Sequence, residues 1–136
     1  MRLQRSHGPP RLSLSPSQLF KIVPDERYQG EYKAQTLAYI YAVYVEAESL
    51  EDAEVVAWHW HPLTTPARIQ PHLHVHADHR LSGLSLSKLH IPTGRVSFEQ
   101  VVRFLVDDFQ VVPQRHDWRD VIAESEERFR AFRTWS

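Results

Sequence analysis

Seven of the nine histidines fall between His59 and His90, and five of those alternate with apolar residues in two short runs. The first run is Trp58-His59-Trp60-His61, and the second is His72-Leu73-His74-Val75-His76. A β-strand sends successive side chains to opposite faces, so each run gathers its imidazoles on one side and its apolar residues on the other. Imidazole is the side chain that changes charge near neutral pH, so two of them at one reacting centre supply a general base and a general acid. Cleavage of a phosphodiester in RNA needs such a pair, one to take the 2′-hydroxyl proton and one to protonate the leaving oxygen. In this reading His74 is the base or nucleophile, and His72, His76, His59 and His61 are its acid, base or orienting partners. Arg68, Arg80 and Arg95 lie close by in sequence and would contact phosphate.

The same residues are also metal ligands in kind, since neutral histidine commonly binds zinc. Spacing restricts the set. Two residues along a strand advance about 6.6 Å, so His72 and His76 start about 13 Å apart and one strand gives two ligands more readily than three. The expected set therefore draws on both strands: His59, His61, His74 and His76, with Asp78 as an oxygen donor. The pattern lacks the thiolates of zinc fingers, because the chain has no cysteine. A third reading has the imidazoles furnish the outer face of a half-exposed sheet in a non-catalytic binding module or assembly subunit. That reading fits best for the isolated His7 and His116, while His79 and His90 flank the face.

These side chains need a sheet to hold them. Residues 34–47 are apolar on both alternating faces and rich in aromatic and β-branched side chains, which predicts a central strand. Residues 54–61 predict its neighbour, with Val56, Trp58 and Trp60 in the core, and residues 71–78 predict the next strand. Short strands are expected at 19–23 and 89–91. Ser97 with Gln100 makes a capping box before an apolar stripe of Phe98, Val101, Val102, Leu105 and Phe109, and Pro113 stops that helix. Asp117 caps a second helix carrying Trp118, Ile122, Ser125, Phe129 and Phe132 on one side. The order of elements predicts an α+β domain over 19–136: an antiparallel sheet of about four strands, followed by two C-terminal helices packed on one face. Residues 1–18, with Pro9, Pro10 and Pro16 among serines and arginines, read as a flexible arm able to reach a partner.

Length and charge narrow the function classes. A chain of 136 residues with 42% hydrophobic content suits one domain. Its formal charge of −1 is unlike a strongly basic nucleic-acid wrapper, although protonating all nine histidines would carry it to +8. No run approaches the roughly 18 apolar residues of a membrane span, and the N-terminal stretch has no continuous apolar core of a secretion signal. The expectation is a cytoplasmic protein with no membrane partner.

Two resemblances add to this. The run His72-Leu73-His74-Val75-His76-Ala77 resembles the opening of the histidine-triad nucleotide hydrolase motif, which implies that His74, as the middle histidine, attacks an α-phosphate. Asp78 stands where that motif ends in an apolar residue, and here two predicted helices follow the motif. Over a longer stretch the layout is similar to the TumE-like toxins of toxin–antitoxin modules, running from Val55 through AWHWHP, PHLHVHADH and LHIPTGRVSFEQVVRFLVDDF. That likeness implies a ribonuclease-like toxin acting on RNA and paired with a cognate antitoxin. The leading expectation needs no cofactor; the alternative needs zinc or another transition metal.

Overall fold

A computed structural model describes residues 2–4, 11–45, 53–62, 70–76 and 91–132. The element order is β1 (Arg2–Leu3), β2 (Leu12–Pro24), β3 (Tyr32–Val45), β4 (Ala53–Trp60), β5 (His72–Val75), β6 (Ile91–Pro92), α1 (Phe98–Asp107) and α2 (Trp118–Phe132). The strands form one sheet in the order β1-β2-β3-β4-β5-β6, each antiparallel to the next. The α+β class and the two C-terminal helices are as the patterning predicts, and the sheet has six strands where about four are expected.

The largest departure is at the N-terminal side. Instead of belonging to an arm that ends at residue 18, Leu12–Pro24 is a 13-residue strand paired with β3 along its length. Its first residues alternate Leu12-Ser13-Leu14-Ser15, and both leucines are buried opposite Val45 and Val43. Two buried leucines supply the apolar contact that the serine- and proline-rich composition conceals. Pro16 lacks a backbone donor, which a strand tolerates at a sheet edge. Among the described residues the outer side of β2 is paired only by β1, at Leu12 and Ser13. The remainder of the expected arm, residues 5–10 with His7, lies outside the described residues.

The β2–β3 hairpin turns through Asp25–Glu31, where the Asp25 N–H donates to the Glu31 carbonyl at 2.8 Å. Gly30 has φ of +84°, in the left-handed region that favours glycine. A register shift between Leu19 and Phe20 bends the same hairpin further along.

The core lies on the face that β2, β3 and β4 turn toward α1. Tyr39, Tyr41 and Val43 alternate inward from β3, Val56, Trp58 and Trp60 from β4, and Val101 and Leu105 from α1. The Trp58 ring meets Phe104 edge-on at 5.3 Å, and the Tyr39 hydroxyl accepts the Val96 N–H at 2.9 Å just before α1. The capping box forms as expected: the Gln100 N–H donates to Ser97 Oγ and the Ser97 N–H donates to Gln100 Oε1. After α1, Gln110 takes a left-handed conformation (φ 56°), and Val111 returns to the core with its N–H on the Leu105 carbonyl.

The second helix sits differently from the first. None of its residues is buried, and it joins α1 through polar pairs, Arg103 to Glu126 at 3.1 Å and Ser125 to Glu99 at 2.7 Å. Its far end reaches the β2–β3 turn, where Arg27 donates to the Ala131 carbonyl and lies over the Phe132 ring. Asp117 does precede it, with its carboxylate held by the Arg115 fork at 2.9 and 2.7 Å. No described helix is long and apolar enough to cross a membrane.

Candidate metal centre

The register of β4 and β5 decides which histidines meet. His59 lies directly opposite His72, Trp58 opposite Leu73, and Ala57 opposite His74. Directly opposed residues share a face, so His59, His72 and His74 all project from the side away from the helices. His61 follows one strand period after His59 and continues the row. The expectation that the two histidine runs sit on neighbouring strands and face the same way is met.

The rings are close. His59 and His72 lie 5.6 Å apart between centroids, and His61 is 5.8 Å from His59 and 5.6 Å from His72. One ring nitrogen from each of His59, His61 and His72 falls within 4.8 Å of the others. Around a tetrahedral ion with bonds of about 2.0–2.1 Å, nitrogens sit about 3.3–3.4 Å apart. A side-chain adjustment of about 1.5 Å or less per pair therefore closes the three on one ion. His72 is buried, at 4% exposure, whereas His59 and His61 are partly covered.

His72 is also oriented. Its Nδ1 lies 3.0 Å from the Gln70 carbonyl oxygen. A carbonyl only accepts, so Nδ1 carries the proton and the lone pair resides on Nε2. Metal-binding histidines commonly use this backbone-carbonyl brace, which fixes both tautomer and ring orientation. The Nε2 atoms of His59, His72 and His74 are all sealed from solvent.

The remaining expected residues divide. His74 belongs to the cluster, 4.4 Å from the His59 ring and 4.9 Å from His72. His76 stands beyond it, 6.4 Å from His74, and its Nε2 pairs with Glu54 Oε1 at 2.9 Å. Glu54 also interacts with Tyr44, whose hydroxyl is pushed up first by burial and then by that carboxylate. Glu54 was not singled out in the sequence; its signal is its place at the start of β4, on the strand that carries His59 and His61.

Arg95 is on the wrong side for the histidines. Its guanidinium lies 3.6 Å from the centre of the Trp60 ring, on the helix-bearing face, and burial lowers its pKa against the opposing influence of Tyr39. Arg68, Arg80, Asp78, His79 and His90 lie outside the described residues. His116 is exposed in the turn before α2, apart from the cluster.

The arrangement offers three convergent nitrogen donors on a rigid two-strand platform, with a fourth imidazole alongside. Comparisons with protein-family models, curated proteins and solved structures found no match for this chain.

Proposed function

We propose that this chain is a transition-metal-binding protein whose centre is formed by His59, His61 and His72 on the sheet face away from the helices, with zinc as the leading ion. The convergence of three ring nitrogens to within 4.8 Å carries this reading. The Gln70 brace on His72 supports it, because it presents Nε2 as the donor. Imidazole also suits copper and nickel, but zinc accepts a tetrahedral set without a geometric preference of its own. The decisive experiment is metal analysis of the purified chain, before and after chelation and reloading. One equivalent of zinc, lost in His59→Ala and His72→Ala and retained in His116→Ala, is the expected result. A parent chain that takes up no stoichiometric ion would end this reading.

Phosphoester chemistry on RNA or a nucleotide is the second reading, with the cognate antitoxin as its protein partner. The His76–Glu54 pair favours it, since a carboxylate that orients an imidazole is how many enzymes position a general base. It is the less supported of the two because Arg95 sits on the opposite face. Cleavage of mixed-sequence RNA by chelated protein would move it ahead. A cytoplasmic location goes with both readings and is consistent with a chain that contains no cysteine to oxidise.

A further inference from the structure

We infer that His74 is the fourth ligand of this centre, so that the ion is enclosed by four imidazoles and clamps β4 to β5 instead of activating a water. The inference rests on the metal-binding reading above and concerns the shape of that site.

The ring separations carry it. An imidazole nitrogen lies about 1.1 Å from its ring centre, so each centroid in a zinc–histidine bond sits about 3.2 Å from the ion, and tetrahedral neighbours are about 5.2 Å apart. The observed separations are 5.8 Å for His59–His61, 5.6 Å for His59–His72, 5.6 Å for His61–His72, 4.9 Å for His72–His74 and 4.4 Å for His59–His74. Five of the six pairs in a four-histidine set thus bracket the required value. The sixth, His61–His74, spans the two ends of the His59–His72 pair; the ring nitrogens already within 4.8 Å of one another are those of His59, His61 and His72, so His74 joins them as its ring swings in toward His61. Closing the site means drawing those two flanking rings toward the middle.

The strand pairing explains why His74 is available. Its directly opposed residue is Ala57, whose single methyl leaves space above β4. The His74 ring occupies that space and leans toward His59, which accounts for the shortest separation in the cluster. Its Nε2 is sealed from solvent, as are those of His59 and His72. His76 makes the contrast: one strand period further on, it is engaged by Glu54 at 2.9 Å.

Chemistry follows from the ligand count. Catalytic zinc sites hold three protein ligands and leave a position for water, whereas structural sites are filled by four. With His74 bound, no position is left for water, and the ion's free energy of binding becomes stability of the β4–β5 pair.

The test is X-ray absorption on the zinc-loaded full chain together with cobalt substitution. Four nitrogen neighbours with multiple scattering from four imidazoles are expected, and an intense tetrahedral cobalt spectrum. His74→Ala should still bind one ion, at least about tenfold more weakly, since even the loss of an outer-shell partner costs about that much. Its spectrum should then show three imidazoles and an oxygen. His74→Cys should restore four protein ligands and add a sulfur-to-cobalt charge-transfer band, which a merely structural residue would not produce. Three imidazoles and one oxygen in the parent chain, or a His74→Cys protein without that band, would overturn the four-ligand site while leaving the metal-binding reading intact. A parent chain that binds neither zinc nor cobalt overturns both.

Discussion

Ala57 lies directly across the β4–β5 ladder from His74, and it is completely buried. Its small size is therefore a condition of the cluster above it. Ala57→Val adds two methyl groups on the histidine face where the His74 ring rests, at a position with no exposed surface. The expected outcome is a loss of about 1–3 kcal/mol of stability from overpacking, with weaker zinc binding in the same variant. Urea unfolding and a zinc titration measure the two effects separately.

Trp58 tests the other face of the same strand. It is 8% exposed and meets Phe104 edge-on, so Trp58→Ala should cost about 3–5 kcal/mol through the cavity it leaves. Unfolding midpoints should fall steeply at any zinc concentration. In His59→Ala, by contrast, the midpoint should fall mainly in the presence of zinc, because its ring faces away from that core.

The Tyr39 hydroxyl accepts the Val96 N–H at 2.9 Å and so fastens the entry of α1 to β3. Tyr39→Phe keeps the ring but leaves that N–H without its acceptor. A loss of about 1–3 kcal/mol is expected, read by denaturant unfolding and by faster amide hydrogen exchange at Val96. Metal content should be unchanged.

Asp25 supplies a pH dependence. Hydrogen bonds from the Arg27 side chain, with the Arg27 backbone and the charges of Arg27 and Lys33, hold its carboxyl well below the usual carboxylate range despite the opposing effect of burial. An unfolded aspartate titrates near about 3.9. A depressed folded value means that the unfolded state takes up protons first as pH falls, so the stabilisation is complete above about pH 3.9 and is lost as pH drops through the lower folded value. Unfolding midpoints followed from neutral pH downward should show this loss in the parent chain. Asp25→Asn should start lower at neutral pH and lose less on acidification; an unchanged acid profile would show that the pair does not govern it.

Much of the fold is legible in local patterning. The alternations in 54–61 and 71–78 locate the histidine face, and Ser97 with Gln100 marks the start of α1 to the residue. The N-terminal strand was concealed because Pro16 and three serines dominate residues 12–17, whereas Leu12 and Leu14 owe their burial to partners some 30 residues away. The candidate site was only half legible. Period-two spacing selects the five imidazoles, but cross-strand register puts His72 opposite His59 and leaves His76 to Glu54. Register depends on the turn between the strands and on which residues face the core, so spacing along one strand cannot supply it. Arg95 shows the same limit: closeness in sequence to the histidines placed it beside them, and the route of the chain into α1 puts it on Trp60.

The long outer strand also bears on self-association. Among the described residues the outer side of β2 is paired only at Leu12 and Ser13; such an edge is a template onto which another chain can add, and β2 carries several of the features that discourage this. Pro16 interrupts the row of donors, Lys21 would have to be desolvated, the irregularity at Leu19 and Phe20 bends the edge away from a flat partner, and Pro24 closes it. Leu19, Phe20 and Ile22 are more than half exposed among these guards. Resistance to edge-to-edge pairing thus rests on residues that contribute little to the core, and Pro16→Val with Lys21→Val should raise the tendency of the chain to self-associate, as light scattering across a concentration series would measure.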